Sequence, residues 1–151
     1  MGILQIAFFI VLLTASYQDI KKMEIKDGCH AAIVLLAAAA MLLDRNTGIA
    51  SRLLGALCVS APMLALTLVI PGAFGGGDIK LMAAAGLFLG WRNAVISSVF
   101  AVFAAGVYVL YLLSIKKADR NQRFAFGPFL CAGMAVSLLW GDVIWKIWQN
   151  L

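Results

Sequence analysis

Residues 75–89 read Gly-Gly-Gly-Asp-Ile-Lys-Leu-Met-Ala-Ala-Ala-Gly-Leu-Phe-Leu, so three glycines and an acid open an apolar run. The acid, Asp78, is one of seven acidic residues in the 151-residue chain. A carboxylate beside hydrocarbon costs about 3 kcal/mol on insertion scales, which makes it a functional-site candidate by default. The glycines permit backbone conformations that other residues avoid and allow another chain to approach closely. Taken alone, Asp78 fits two interpretations equally well: a functional site, and a helix N-cap at the membrane surface.

The composition around this stretch is typical of a polytopic membrane protein. The chain is 64% hydrophobic and 13% charged, whereas soluble domains are about 25% charged. The apolar segments span residues 2–17, 28–43, 53–71, 78–90, 94–115 and 124–148. Several are shorter than the roughly 20 residues that cross a bilayer as a helix. We therefore expect an all-α membrane bundle of about six transmembrane segments, forming a single domain over residues 1–151.

Other residue classes offer little catalytic chemistry. Cys29, Cys58 and Cys131 lie on separate apolar segments, without the spacing of a zinc or redox pair. His30 is the only histidine, and a metal site needs several ligands, so neither a metal nor another cofactor is expected.

The first segment lacks the basic n-region of a removable signal peptide, so we expect a membrane helix there. The net charge of +5 comes from residues at membrane borders, which indicates orientation rather than nucleic-acid binding.

The basic residues predict which face is cytoplasmic. The odd-numbered loops carry eight of them: Lys21, Lys22, Lys26, Lys80, Lys116, Lys117, Arg120 and Arg123. The even-numbered loops and the tail carry four: Arg45, Arg52, Arg92 and Lys146. By the positive-inside rule, the odd loops face the cytoplasm and both termini lie outside. Asp19, Asp78 and the stretch 123–129 then share the cytoplasmic face.

Asp19 is the strongest partner for Asp78. The segment 78–90 has thirteen residues and is about 20 Å long as a helix, so either the membrane thins or Asp78 is recessed. Two carboxylates in a partly desolvated place tend to share one proton. One can then act as a base toward water while the other polarises a carbonyl, as in aspartic peptidases. Alone, Asp19 reads equally well as a loop acid paired with a lysine. The weaker candidates are Glu24, Asp27, Asp44, Asp119 and Asp142.

Three motifs carry a resemblance to a known family over nearly the whole chain. Gly75–Leu81 resembles the Gly-x-Gly-Asp signature of intramembrane aspartyl peptidases, in the version found in prepilin peptidases. Asp19–Ile25 resembles the first catalytic stretch of that family, an Asp followed by basic residues and an Ile-Pro-Asn turn. That turn appears here as Ile-Lys-Asp at 25–27, without its proline. Phe126–Leu130 resembles the Phe-Gly-Pro-Phe-Leu opening of the last helix of the family.

The resemblance implies an aspartic endopeptidase of the bacterial inner membrane, with Asp19 and Asp78 as its catalytic residues. It also implies a set of substrate-binding or supporting residues: Gly75, Gly77, Lys80, Phe126, Gly127 and Pro128. The substrate would be a prepilin whose basic leader is cut after a glycine on the cytoplasmic side, and no cofactor would be required. The chain lacks the cysteine-bearing insertion of the bifunctional, N-methylating members, so it resembles the short enzymes of tight-adherence (Flp) pilus systems.

Three alternatives remain open at this point. The substrate could be a preflagellin or another signal-bearing membrane protein. The two acids could instead serve a small proton- or cation-coupled transporter, although the chain has no internal repeat and both acids lie near one face. A non-catalytic assembly subunit would leave Asp19 and Asp78 unexplained. The sequence selects neither a particular pilin nor an oligomeric state.

Overall fold

The computed structural model describes residues 2–43, 47–115 and 125–150, and this part of the chain is a helical bundle. Its helices are α1 (Ile3–Lys22), α2 (Asp27–Leu43), α3 (Ile49–Val69), α4 (Gly76–Ile115) and α5 (Gly127–Gln149). Four of them, α1, α3, α4 and α5, are long and apolar enough to cross a membrane, and α2 is a shorter apolar helix. The predicted all-α membrane bundle is confirmed, while the count of six segments stays a prediction. Residues outside the described part include Asp44, Arg45, Lys116, Lys117, Asp119, Arg120, Arg123 and Phe124.

Helix α4 is broken at Gly90, whose φ of 77° and ψ of 168° are accessible to glycine at little cost. Before the break, Phe88 stacks on Phe8 near the start of α1, with ring centroids 4.4 Å apart. After it, Tyr108 packs against Phe129 near the start of α5, at 5.3 Å. The start of α5 in turn meets the end of α1. The two halves of α4 therefore run in opposite directions, and the break lies within the interruption at residues 90–93 that the sequence predicts.

Glycine contacts bring α3 and the first half of α4 together. A Cβ built on Gly55 would lie 2.7 Å from the carbonyl carbon of Gly90. A Cβ built on Gly86 would lie 2.8 Å from the backbone nitrogen of Ala56. Small residues at such crossings allow the helix backbones to touch, which is a common source of van der Waals packing in membranes. The hairpin formed by α4 is thereby held against α3.

Arg52 stabilises the end of this first half. The sequence placed it in the second loop, but it lies within α3 and is only 1% exposed, so that assignment is wrong. Its guanidinium donates to the carbonyls of Leu87 and Phe88 at 3.3 and 3.1 Å, and to that of Ala40 at 3.5 Å. These carbonyls belong to the last turns of two helical segments, where intrahelical donors run out. A cation also suits the negative end of a helix dipole. Arg52 thus caps two helix ends beside the break.

The core lies between α1, α2, α4 and α5. Its largest fully buried apolar side chains are Phe8, Ile33, Leu81, Met82, Leu130 and Met134. Large apolar side chains also cover the outer faces of the helices, as expected where lipid rather than water surrounds the bundle. At one end of this core α1 ends while α4 and α5 begin, and the acids predicted from the sequence lie there.

Candidate active site

Asp19 lies in the last turns of α1 and is 5% exposed. Its Oδ2 accepts a hydrogen bond of 2.8 Å from the backbone N–H of Gly127, the first residue of α5. A Cβ built on Gly127 would lie 2.6 Å from that oxygen, so the contact requires a residue without a side chain. Pro128 follows at the start of the helix, where its fixed φ and missing N–H are tolerated. The Gly-Pro pair therefore makes the N-terminus of α5 a donor to this carboxylate.

Asp78 lies in the first turn of α4 and is 7% exposed. Its backbone N–H donates to the carbonyl of Gly75 at 3.1 Å. Its Oδ1 is buried and has no hydrogen-bond partner within the described part of the chain. Buried polar atoms are rarely left unpaired, so an oxygen in this state marks a place for a water or a substrate group.

Asp19 and Asp78 line the same cavity, which has a volume of about 220 Å³. Its other lining residues are Met23, Glu24, Ile25, Gly75, Gly76 and Gly77. Two acids from different helices thus converge on one space at one end of the bundle. Glu24, which the sequence ranked low, is exposed and forms part of the wall.

The turn between α1 and α2 forms one wall of the cavity. It begins at Met23, whose left-handed backbone (φ 50°, ψ 30°) ends α1 with a bond from its N–H to the carbonyl of Asp19. The N–H of Lys26 donates to Oε1 of Gln18 at 3.1 Å. A proline at position 26, as in the Ile-Pro-Asn turn, has no N–H to donate. Gln18 therefore holds a turn that lacks its proline, a role that no sequence pattern indicated.

The three glycines before Asp78 differ in their surroundings. A Cβ built on Gly75 would lie 3.1 Å from Oδ2 of Asp78, and one on Gly77 would lie 3.4 Å from Cβ of Ile25. Nothing lies within 4 Å of a Cβ on Gly76. None of the three has a positive φ, so the unusual backbone conformations considered from the sequence are not used here. A neighbouring atom within contact distance of the Cβ position, and not backbone freedom, distinguishes the first and third glycines.

The remaining predicted support residues lie beside the cavity rather than in its wall. Lys80 Nζ lies 3.1 Å from Oδ1 of Asp27, and both side chains are largely exposed. The hydrogen bond and charge of Lys80 lower the pKa of the Asp27 carboxyl from its ordinary value. Phe126 packs against Phe74 with ring centroids 5.5 Å apart. Lys80 and Phe126 thus support neighbouring elements.

The single histidine has a defined partner. Nε2 of His30 lies 2.9 Å from the carbonyl oxygen of Gly77, the residue before Asp78. The sequence argued against His30 as a metal ligand, and no sequence signal tied it to residues 75–77, hereafter the glycine loop, whose last two residues open α4. Among residues 2–43, 47–115 and 125–150, no three His, Cys, Asp or Glu side chains are grouped so that they could hold a metal ion.

A comparison with protein families identifies a family for this chain. The profile of the type IV leader peptidase family matches residues 6–110, a range that contains both cavity acids. The chain belongs to the type IV leader peptidase family. The resemblance carried by the motifs is therefore confirmed at the level of the family.

Two individual relatives are named as leader peptidases. The chain is 27% identical over 139 residues to a prepilin leader peptidase/N-methyltransferase of Bacillus subtilis (strain 168), covering 92% of this chain and 56% of that protein. It is 37% identical over 70 residues to the protein of that name from Legionella pneumophila, covering 46% of this chain and 24% of the relative. The chain thus spans between about a quarter and about half of the length of these curated relatives. No solved structure matches it significantly.

Proposed function

We propose that this protein is a membrane-embedded aspartyl endopeptidase that removes the leader peptide of a prepilin at the cytoplasmic face. The observation that carries the proposal is the convergence of Asp19 and Asp78 on one cavity at one end of the bundle. Membership of the type IV leader peptidase family supports the peptidase activity. The names of the relatives support a prepilin as the substrate.

The chemistry follows from two carboxylates that share one proton. The ionised carboxylate takes a proton from a water molecule, whose oxygen bonds to the scissile carbonyl carbon. The protonated one donates a hydrogen bond to the carbonyl oxygen and so stabilises the developing charge. The C–N bond then breaks, and the proton taken from water passes to the leaving nitrogen. The unpaired Oδ1 of Asp78 offers a position for the water.

The walls of the cavity suit an extended peptide. Gly75, Gly76 and Gly77 place backbone without side chains along one side, which leaves room for a substrate strand beside Asp78. The exposed Glu24 adds a negative charge at the wall, where it would favour a basic leader. The lysines at this end of the bundle, Lys21, Lys22, Lys26 and Lys80, support a cytoplasmic position for the site.

The test is co-expression with a prepilin that carries its own leader, with leader removal read as a mobility shift on a gel. Asp19→Asn and Asp78→Asn keep the shape of the side chain but cannot exchange a proton, so each is expected to lower cleavage at least a hundredfold, about the contribution of general acid–base catalysis. Asp142→Asn is the matched control, because Asp142 is exposed near the opposite end of α5. Normal leader removal by Asp78→Asn would contradict the aspartyl mechanism.

A second experiment distinguishes the aspartyl mechanism from metal-dependent hydrolysis. A chelator added to purified enzyme in detergent is expected to leave the cleavage rate unchanged, because two carboxylates and a water supply the whole reaction. Loss of activity that returns on adding a divalent metal would contradict the proposal.

A further inference from the structure

His30 connects α2 to the residue that precedes Asp78. It lies in the first turns of α2, is 7% exposed, and its Nε2 lies 2.9 Å from the carbonyl oxygen of Gly77. A carbonyl oxygen only accepts hydrogen bonds, so the geometry assigns a proton to Nε2. Nδ1 lies 3.6 Å from Oδ1 of Asp27, which is beyond hydrogen-bond distance. The imidazole therefore donates across the helix interface to the backbone of the glycine loop.

We propose that His30 is a positioning residue, which holds the Gly77–Asp78 peptide so that the Asp78 carboxylate stays opposite Asp19. The inference rests on the proposed function and adds to it a residue outside the cavity. His30 is not among the residues that line the cavity, so it acts through the backbone rather than on the substrate.

The glycine loop needs such an anchor. Glycine loses more conformational freedom on ordering than any other residue, and three successive glycines carry no side chains that could pack the chain in place. Gly76 has open space around its Cβ position, and Gly77 makes only an ordinary contact with Ile25. A hydrogen bond from the buried His30 reaches the carbonyl of Gly77 from another helix.

The helix that carries His30, α2, is also joined to α1, which carries Asp19. Only the short turn 23–26 separates α1 from α2, and Gln18 holds it through the N–H of Lys26. Lys80 and Asp27 form a second link between α2 and α4, but this pair is exposed. Exposed ion pairs contribute little to stability. The bond from the buried His30 is therefore the better protected of these two polar links between α2 and α4.

If the carboxylate of Asp78 were less firmly positioned, turnover would be affected more than substrate binding. A displacement of about 1 Å in a reacting group costs about a hundredfold in rate, whereas an interaction made equally in the ground and transition states changes KM. His30 does not itself line the cavity, so its removal leaves the lining side chains in place. The expected signature is a fall in kcat at nearly constant KM.

The experiment compares three substitutions. The amide nitrogen of Gln reaches the position of Nε2, whereas that of Asn reaches only the position of Nδ1. His30→Leu and His30→Asn are expected to lower kcat by about 10- to 100-fold with KM within about twofold of wild type. His30→Gln keeps a donor for the Gly77 carbonyl and is expected to stay within about fivefold of wild type. Ala31→Gln, at an exposed neighbouring position on α2, controls for general effects on that helix.

The outcomes separate the inference from the proposed function. Leader removal by wild type, with none by Asp78→Asn, establishes the function independently of His30. With that established, a normal kcat for His30→Leu would overturn the positioning role. So would a Gln variant as impaired as Leu, an effect confined to KM, or loss of folded protein in all three variants. A wild-type protein that removes no leader would overturn both proposals. Folded protein is measured in every case by size-exclusion profile and melting temperature in detergent.

Discussion

The backbone nitrogen of Gly127 lies 2.8 Å from Oδ2 of Asp19, and this bond joins the beginning of the last helix to the end of the first. The two residues are 108 positions apart in the sequence. The Phe-Gly-Pro-Phe motif is therefore more than a helix start, because its glycine leaves space for the carboxylate and supplies it with a donor. Helix N-termini favour negative charge, so the pairing also suits the dipole of α5.

Gly127→Ala should impair catalysis through Asp19. The new Cβ would lie 2.6 Å from Oδ2 and 2.9 Å from Cγ of Asp19, so the carboxyl group must move. We expect at least a tenfold loss of leader removal, in line with the cost of misplacing a reacting group. The assay is cleavage normalised to membrane-inserted enzyme. Gly106→Ala is the matched control, since nothing lies within 4 Å of a Cβ there; equal activity of the two variants would refute the role of Gly127.

The glycine loop should tolerate alanine in a definite order. Gly75→Ala brings a methyl to 3.1 Å from Oδ2 of Asp78 and should reduce turnover most. Gly77→Ala meets Ile25 at 3.4 Å and adds volume to the cavity wall, so an intermediate loss is expected. Gly76→Ala has open space and should remain near wild type. The same normalised cleavage assay ranks the three alanine variants. Identical activities of all three would show that the glycine loop is only a flexible connection.

Arg52→Met should destabilise the bundle without touching the cavity. It removes the donor from the carbonyls of Leu87, Phe88 and Ala40, and each buried group left unsatisfied costs about 1–3 kcal/mol. We expect a lower melting temperature in detergent and less protein in the membrane. Arg92→Met is the control, because Arg92 is exposed. A melting temperature for Arg52→Met that equals that of the wild type would show that the capping contacts contribute nothing.

The orientation predicted from the loop charges can be tested at described positions. In a variant without Cys29, Cys58 and Cys131, single cysteines at Glu24 and Ala73 should react with an impermeant thiol reagent only from the cytoplasm. Cysteines at Gly48 and Gln149 should react only from outside. All four positions are exposed. Labelling of Glu24 and Ala73 from opposite sides would separate the two acids and remove the basis for a shared site.

Asp27→Asn should have little effect near neutral pH. The pair with Lys80 is exposed, and Asn retains an acceptor for the lysine, so cleavage is expected within about threefold of wild type. Lys80 lowers the pKa of Asp27, so the contribution of the pair is fully present above the unfolded value of about 3.9 and is lost as pH falls through the lower folded value. Melting curves of variant and wild type should therefore keep a constant offset above about pH 5 and converge only below pH 4. An offset that changes between pH 5 and 8 would contradict this assignment.

Much of the candidate site could be predicted from the sequence. Asp78 stood out because a carboxylate opens an apolar run, and the loop charges placed Asp19 on the same face. The break at Gly90 follows from the interruption at residues 90–93, and the neighbours found beside the Cβ positions of Gly75 and Gly77, but not of Gly76, agree with their positions in the motif. Each of these inferences uses hydropathy, charge or spacing within a short stretch of chain.

Other residues that make structural contacts in the bundle could not be identified from the sequence. Arg52 reads as a loop charge because it lies a few residues into α3, yet its guanidinium caps two helix ends. Gln18 reads as an ordinary polar residue at the end of a membrane helix, yet its Oε1 accepts the N–H of Lys26 in the turn between α1 and α2. His30 reads as an isolated histidine, yet it reaches the carbonyl beside Asp78.

The difference between the features that the sequence predicted and those that only the structure revealed has a physical cause. Transfer of apolar side chains from water is non-directional and nearly additive along the chain, so the sequence by itself determined that this is an all-α membrane bundle with two acids near one end. A hydrogen bond instead requires its atoms within a few tenths of an ångström and a suitable angle. The pairs His30–Gly77 and Asp19–Gly127 are 47 and 108 residues apart. Only the tertiary structure, by packing α1, α2, α4 and α5 at one end, decided which donors meet those acceptors.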